Sequence, residues 1–110
     1  MKKNWQVLMF HPYHPVQEQV LVEGEAVGYQ LTQTSSMADC LHLLSLQQWD
    51  LLLLPTCLVD GTEAADLMKL VQPRYQGAIV VLSELQHAAQ VTRALQQGAT
   101  DYLLIPFGHM

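Results

Sequence analysis

His11-Pro12-Tyr13-His14-Pro15 places two imidazoles three residues apart in a segment stiffened by two prolines. Imidazole nitrogens ligate transition metals and titrate close to neutral pH, so the pair could serve as metal ligands or as a pH sensor. Cys57 would be the next soft donor, on a separate stretch of chain. His-x-x-His without a third spaced ligand is a weak metal signal, and a proline-stiffened loop with exposed histidines is the simpler reading; no metal or other cofactor is assigned. A reactive thiol at Cys57 would need a positive neighbour to lower its pKa, and histidines are the only candidates; a small buried side chain is expected instead. Cys40 reads as core. The Ser83 hydroxyl is expected to satisfy a nearby backbone group. Asp60, Glu84 and Asp101 form no acid pair and suit helix caps or solvent. The chain has no Gly-x-Ser-x-Gly elbow, no phosphate-binding glycine loop and no paired catalytic carboxylates, so no catalytic residue and no enzyme activity are expected.

The elements that must position these residues follow from hydrophobic patterning. Val7–Phe10, Leu51–Leu54, Ile79–Leu82 and Tyr102–Ile105 are continuous apolar runs. Strands of that kind are buried on both faces, as in parallel sheets covered by helices. The more polar Gln30–Thr34 suits an edge strand. Helical patterns fill the gaps. Pro15 opens a first helix that Gly28 ends; Ser35 or Ser36 caps a second, with Ala38, Leu41 and Leu44 or Leu46 inward. Thr62 caps a third, with Ala65, Leu67, Met68 and Val71 apolar, and Pro73 stops it. A fourth spans Leu85 to Gln97 with Ala88, Val91 and Leu95 at helical spacing, closed by Gly98. Strands alternating with helices imply an α/β fold with right-handed crossovers and helices on both faces of the sheet.

Composition narrows the function. The chain has 110 residues, 50% apolar and 14% charged, which is enough core for one domain (1–110) and excludes a disordered tail. Five Lys and Arg against ten Asp and Glu give a formal charge of -5, too few bases for a nucleic-acid footprint. Two cysteines make no disulfide scaffold. The apolar run after Lys2-Lys3 is too short for a signal peptide or a membrane span, so a cytoplasmic protein is expected.

Asp50-Leu51-Leu52-Leu53-Leu54, Asp60-Gly61, Ile79-Val80-Val81-Leu82-Ser83 and above all Gly98-Ala99-Thr100-Asp101-Tyr102-Leu103-Leu104-Ile105-Pro106-Phe107 resemble the receiver domain of two-component response regulators. The resemblance runs from Trp5 to Phe107 and implies a flavodoxin-like parallel sheet in the order 2-1-3-4-5. It also implies a site at the strand ends, and here the residues depart. The adjacent carboxylates that hold magnesium in receivers are matched by His11 and Pro12. The phosphate-accepting aspartate is matched by Pro55, and the lysine that pairs with the phosphoryl group by Ile105. Ser83 at the hydroxyl position and Tyr102 at the aromatic switch position are retained. Proline cannot be a nucleophile and isoleucine cannot neutralise a phosphate, so the resemblance is to an atypical, pseudo-receiver form without phosphorylation chemistry.

The resulting expectation is a phosphorylation-independent regulatory module, the N-terminal part of a longer bacterial signalling or transcriptional regulator. It would act through a protein partner or a covalently linked effector domain. The alternative is a small-molecule or metal sensor in the emptied pocket of His11, Pro12, Pro55, Cys57, Ser83 and Ile105. The resemblance further implies a cis Ile105-Pro106 bond. It also implies a last helix, for which the chain after Phe107 is too short. A homodimer through the face of the first helix and the first and fifth strands is expected to cover the gap. Tyr102 is open between a rotamer switch and an interfacial tyrosine with a buried ring and a wet hydroxyl.

Overall fold

The structure is a computed structural model that describes residues 5–11, 29–83 and 87–104. Five parallel strands, β1 (Trp5–Phe10), β2 (Tyr29–Thr34), β3 (Leu51–Pro55), β4 (Ala78–Ser83) and β5 (Asp101–Leu104), form one sheet in the order β2-β1-β3-β4-β5. Three described helices, α1 (Met37–Leu46), α2 (Ala64–Val71) and α3 (Ala88–Gln97), alternate with the strands. This is the expected flavodoxin-like order. The first helix expected over Pro15–Gly28, residues Pro12, His14, Glu84 and Ile105, the Ile105-Pro106 bond and the question of a last helix all lie outside the described residues.

The apolar runs become two-sided strands because alternate side chains point to opposite faces. Leu8, Phe10, Leu52, Leu54, Ile79 and Val81 are buried on one face against Cys40 and Leu44 of α1, Leu67, Met68 and Val71 of α2, and Ala94 of α3. Val7, Met9, Leu53 and Leu82 form a second buried cluster on the opposite face. β5 differs: all four of its residues are exposed, including Tyr102, Leu103 and Leu104.

Local signals explain the helix ends. Ser36 caps α1, its hydroxyl accepting from the Asp39 N–H at 3.3 Å. The buried positions of α1 are Cys40 and Leu44, with Leu41 packed against the core as expected; of the two alternatives Leu44 is the inward one, and Ala38, expected inward, is exposed. The cap of α2 is Glu63 rather than Thr62. Asp66 reaches back to accept from the Glu63 N–H at 3.1 Å, while the Thr62 N–H is taken by Asp60 Oδ1 at 3.0 Å. The buried line of α2 accordingly begins at Ala64, not Ala65. In α3 the buried residues are Val91 and Ala94; Ala88 and Leu95 are exposed. Gly98 ends it at φ 122°, a left-handed conformation that favours glycine, with its N–H donating to Ala94 and Leu95 carbonyls.

Side chains also bind α2 to α3. Arg93 forks onto both Glu63 carboxylate oxygens at 2.8 and 2.7 Å, and Gln72 and Gln97 exchange two hydrogen bonds at 2.9 and 3.1 Å. The N-cap of α3, His87, lies directly beside the loop that leaves β3.

Candidate functional site at the strand ends

In a parallel sheet every β-to-α loop leaves from the same edge, and ligands bind there, where the strand order reverses. In this sheet the reversal lies between β1 and β3, so His11, Pro55, Thr56, Cys57 and Ser83 come to one edge. His87 joins them from the start of α3.

Pro55 is the last residue of β3, fully buried and in register with Leu82. A proline inside a central strand removes a ladder donor, so the strand stops there. Thr56 makes good the loss. Its N–H and its hydroxyl both donate to the Leu82 carbonyl, at 3.0 and 2.6 Å, and its own carbonyl accepts from the Ala64 N–H at 2.8 Å. Thr56 thus ties β3 to β4 and to the first residue of α2. Beyond it, Leu58 and Thr62 close a tight turn through Gly61, whose φ is 93°. Asp60 caps that turn, and the Thr62 N–H holds its carboxyl below the usual carboxylate range.

His11 is buried, not exposed as the loop reading expected. The chain is still extended at this point, and the His11 N–H donates to the Thr34 carbonyl at 3.0 Å, continuing the β1–β2 pairing by one residue. Burial disfavours the imidazolium and pushes the His11 pKa down to about 4. Among the described residues no three His, Cys, Asp or Glu side chains gather into a metal-binding group. Ser83 is buried at the end of β4, as a core hydroxyl should be. Tyr102 is exposed on β5. Asp101 faces solvent, with Oδ1 accepting from the Tyr102 N–H at 2.7 Å.

Cys57 is half-buried rather than buried. Its Sγ lies 3.8 Å from Nε2 of His87. Sequence reading missed His87 because it is 30 residues away and follows no spaced motif. The available signal was topological: in adjacent parallel strands the residues just past β3 and β4 must emerge side by side. Cys40 is core as expected, and burial pushes its thiol up to about 11.

No protein-family model and no curated protein matches the sequence. Solved structures do match. The chain superposes on a two-component response regulator from Clostridium difficile with a TM-score of 0.81 at 19% identity, covering 96% of this chain and 86% of that one. The fold is that of a response-regulator receiver domain. A CheY-like receiver domain from Methylobacillus flagellatus gives 0.80 at 22% identity, over 96% and 90% of the two chains. The receiver domain of a Pseudomonas aeruginosa sensor histidine kinase gives 0.78 at 18%, over 96% and 88%, and holds a magnesium ion in its active-site cleft. The receiver fold is therefore present with β3 ending in proline and with a neutral buried histidine at the end of β1. No helix among the described residues is long and apolar enough to cross a membrane.

Proposed function

We propose that this chain is a phosphorylation-independent regulatory module, a pseudo-receiver that is the N-terminal part of a longer cytoplasmic signal-transduction or transcriptional regulator in a bacterium. Pro55 at the end of β3 carries the reading. The receiver resemblance puts the acceptor carboxylate at that position, and a proline has neither nucleophile nor acceptor oxygen. His11 supports it, because a neutral buried imidazole replaces a carboxylate that would hold a hard divalent cation. The module binds and does not catalyse. Its contacts are with a protein partner or a linked effector domain. Its formal charge of -5 gives no positive surface for phosphate backbones. The exposed Tyr102, Leu103 and Leu104 of β5 support self-association as a homodimer through the face of the first helix and the first and fifth strands.

Incubation with a small phosphodonor and magnesium, followed by intact-mass measurement, should leave the mass unchanged; a base-labile gain of one phosphoryl group would overturn the reading. Pro55→Asp alone should also remain unmodified, since no acid pair accompanies it. Light scattering over a concentration series checks the dimer, which a monomer persisting at high micromolar concentration would exclude.

A further inference from the structure

We propose that Cys57 is a covalent modification site, a thiol that His87 activates for attack on hydroperoxides. The two cysteines of the chain have opposite environments. Cys40 is sealed in the core with its thiol held protonated. Cys57 is half-buried at the strand-end edge with an imidazole nitrogen 3.8 Å from its sulfur.

The state of that imidazole follows from its other nitrogen. His87 Nδ1 is buried and has no hydrogen-bond partner among the described residues. A proton on Nδ1 would leave a buried donor unmet, which costs more than leaving a bare ring nitrogen unmet. The ring proton therefore sits on Nε2, the nitrogen that faces sulfur. An N–H aimed at sulfur favours thiolate over thiol. His87 is also the N-cap of α3, which has no acidic residue in its first turn, so the positive end of that helix adds in the same direction. Glu63, which bridges backbone to backbone with Cys57, gives its carboxylate to Arg93, and Asp60 accepts from Thr62.

The chemistry balances without any group beyond the peroxide. The thiolate attacks the terminal oxygen of the hydroperoxide; the S–O bond forms and the O–O bond breaks. The departing oxygen takes the electron pair and the proton released by Cys57, leaving as water or an alcohol. Sulfur is oxidised by two electrons to a sulfenic acid. Cys40, enclosed in the core, offers no resolving thiol, so reduction must come from a thiol in solution. The inference stands apart from the phosphorylation-independent reading, because the mass test there and the thiol test here can fail separately.

The test uses the whole chain. It is treated with hydrogen peroxide in the presence of dimedone, and the adducts are located by peptide mass spectrometry. Alkylation of each cysteine by iodoacetamide is followed as a function of pH in parallel. Dimedone should mark Cys57 and spare Cys40. The alkylation midpoint of Cys57 should fall below the ordinary value of about 8.5. Each unit of lowering should give about a threefold faster reaction at neutral pH, after the accompanying loss of nucleophilicity. His87→Asn keeps a good N-cap for α3 and should return the midpoint to the ordinary value. A wild-type midpoint at or above the ordinary value overturns the proposal, as does a folded His87→Asn protein with an unchanged profile. If that variant unfolds, the wild-type profile and the site of the dimedone adduct decide alone.

Discussion

The middle of β3 and its C-terminal end are built on different principles. Leu52 and Leu54 are fully buried among side chains from α1, α2, α3 and the neighbouring strands. Nothing there needs a specific partner: the burial of apolar area holds the sheet, and most residues of similar volume would serve. One residue past Leu54 the same strand reads Pro55-Thr56-Cys57, and it lies beside His11, Ser83 and His87. Polar groups are buried there, and each needs its own arrangement: two Thr56 donors on one carbonyl and a neutral imidazole at His11. The core specifies the fold cheaply in sequence terms, while the edge specifies chemistry and depends on individual atoms.

The largest effect should come from the core side of that contrast. Leu52→Ala removes a fully buried side chain from the main cluster and should cost about 2–5 kcal/mol in denaturant unfolding. A cost under 1 kcal/mol, on the same scale of cavity effects, would mean that the middle of β3 is not close-packed and would erase the contrast.

The edge should show its character in acid. His11 titrates at about 4 when folded against 6.5 ordinarily, so the unfolded chain binds more protons between those values. Stability is then complete above the unfolded value and falls as the pH drops towards the folded one, by on the order of 2 kcal/mol after allowance for solvent screening. Urea midpoints of wild type and His11→Leu, compared across that window, isolate the effect. The loss should be present in wild type and absent from the variant; equal losses would assign the acid sensitivity to another group.

Thr56→Val sharpens the comparison at its smallest step. The hydroxyl bond to the Leu82 carbonyl disappears, but the N–H at position 56 still donates to the same oxygen, so no acceptor is orphaned. The cost in the same unfolding measurement should be about 0.5–1.5 kcal/mol. A larger loss would show that the hydroxyl, not the backbone, holds β3 to β4.

Sequence patterning revealed the edge less completely than the core. The Leu51–Leu54 and Ile79–Leu82 runs read correctly as buried strands, whereas the same kind of run at Tyr102 lies exposed on the edge strand β5. Ser36 and Gly98 are readable as helix ends for equally local reasons, an oxygen that accepts from the first turn and a residue free to take positive φ. The expected cap of α2 was Thr62, but the structure places the cap one residue later: the Glu63 N–H donates to Asp66, and the Thr62 N–H belongs to the turn capped by Asp60. His11 was misread because a histidine followed by proline resembles a loop, whereas pairing with Thr34 across β2 keeps it in the sheet.

By itself, then, the sequence determined the alternation of strands and helices and the two-sided core. These are properties of composition, period and spacing along one chain. Tertiary structure decided that His11 is buried and neutral, that Tyr102 stands exposed on β5, and that Cys57 meets His87 across 30 residues. Those outcomes depend on which strands lie adjacent and how far each extends before its loop begins. Hydrogen bonds between segments far apart in the chain fix both, and no local pattern contains them.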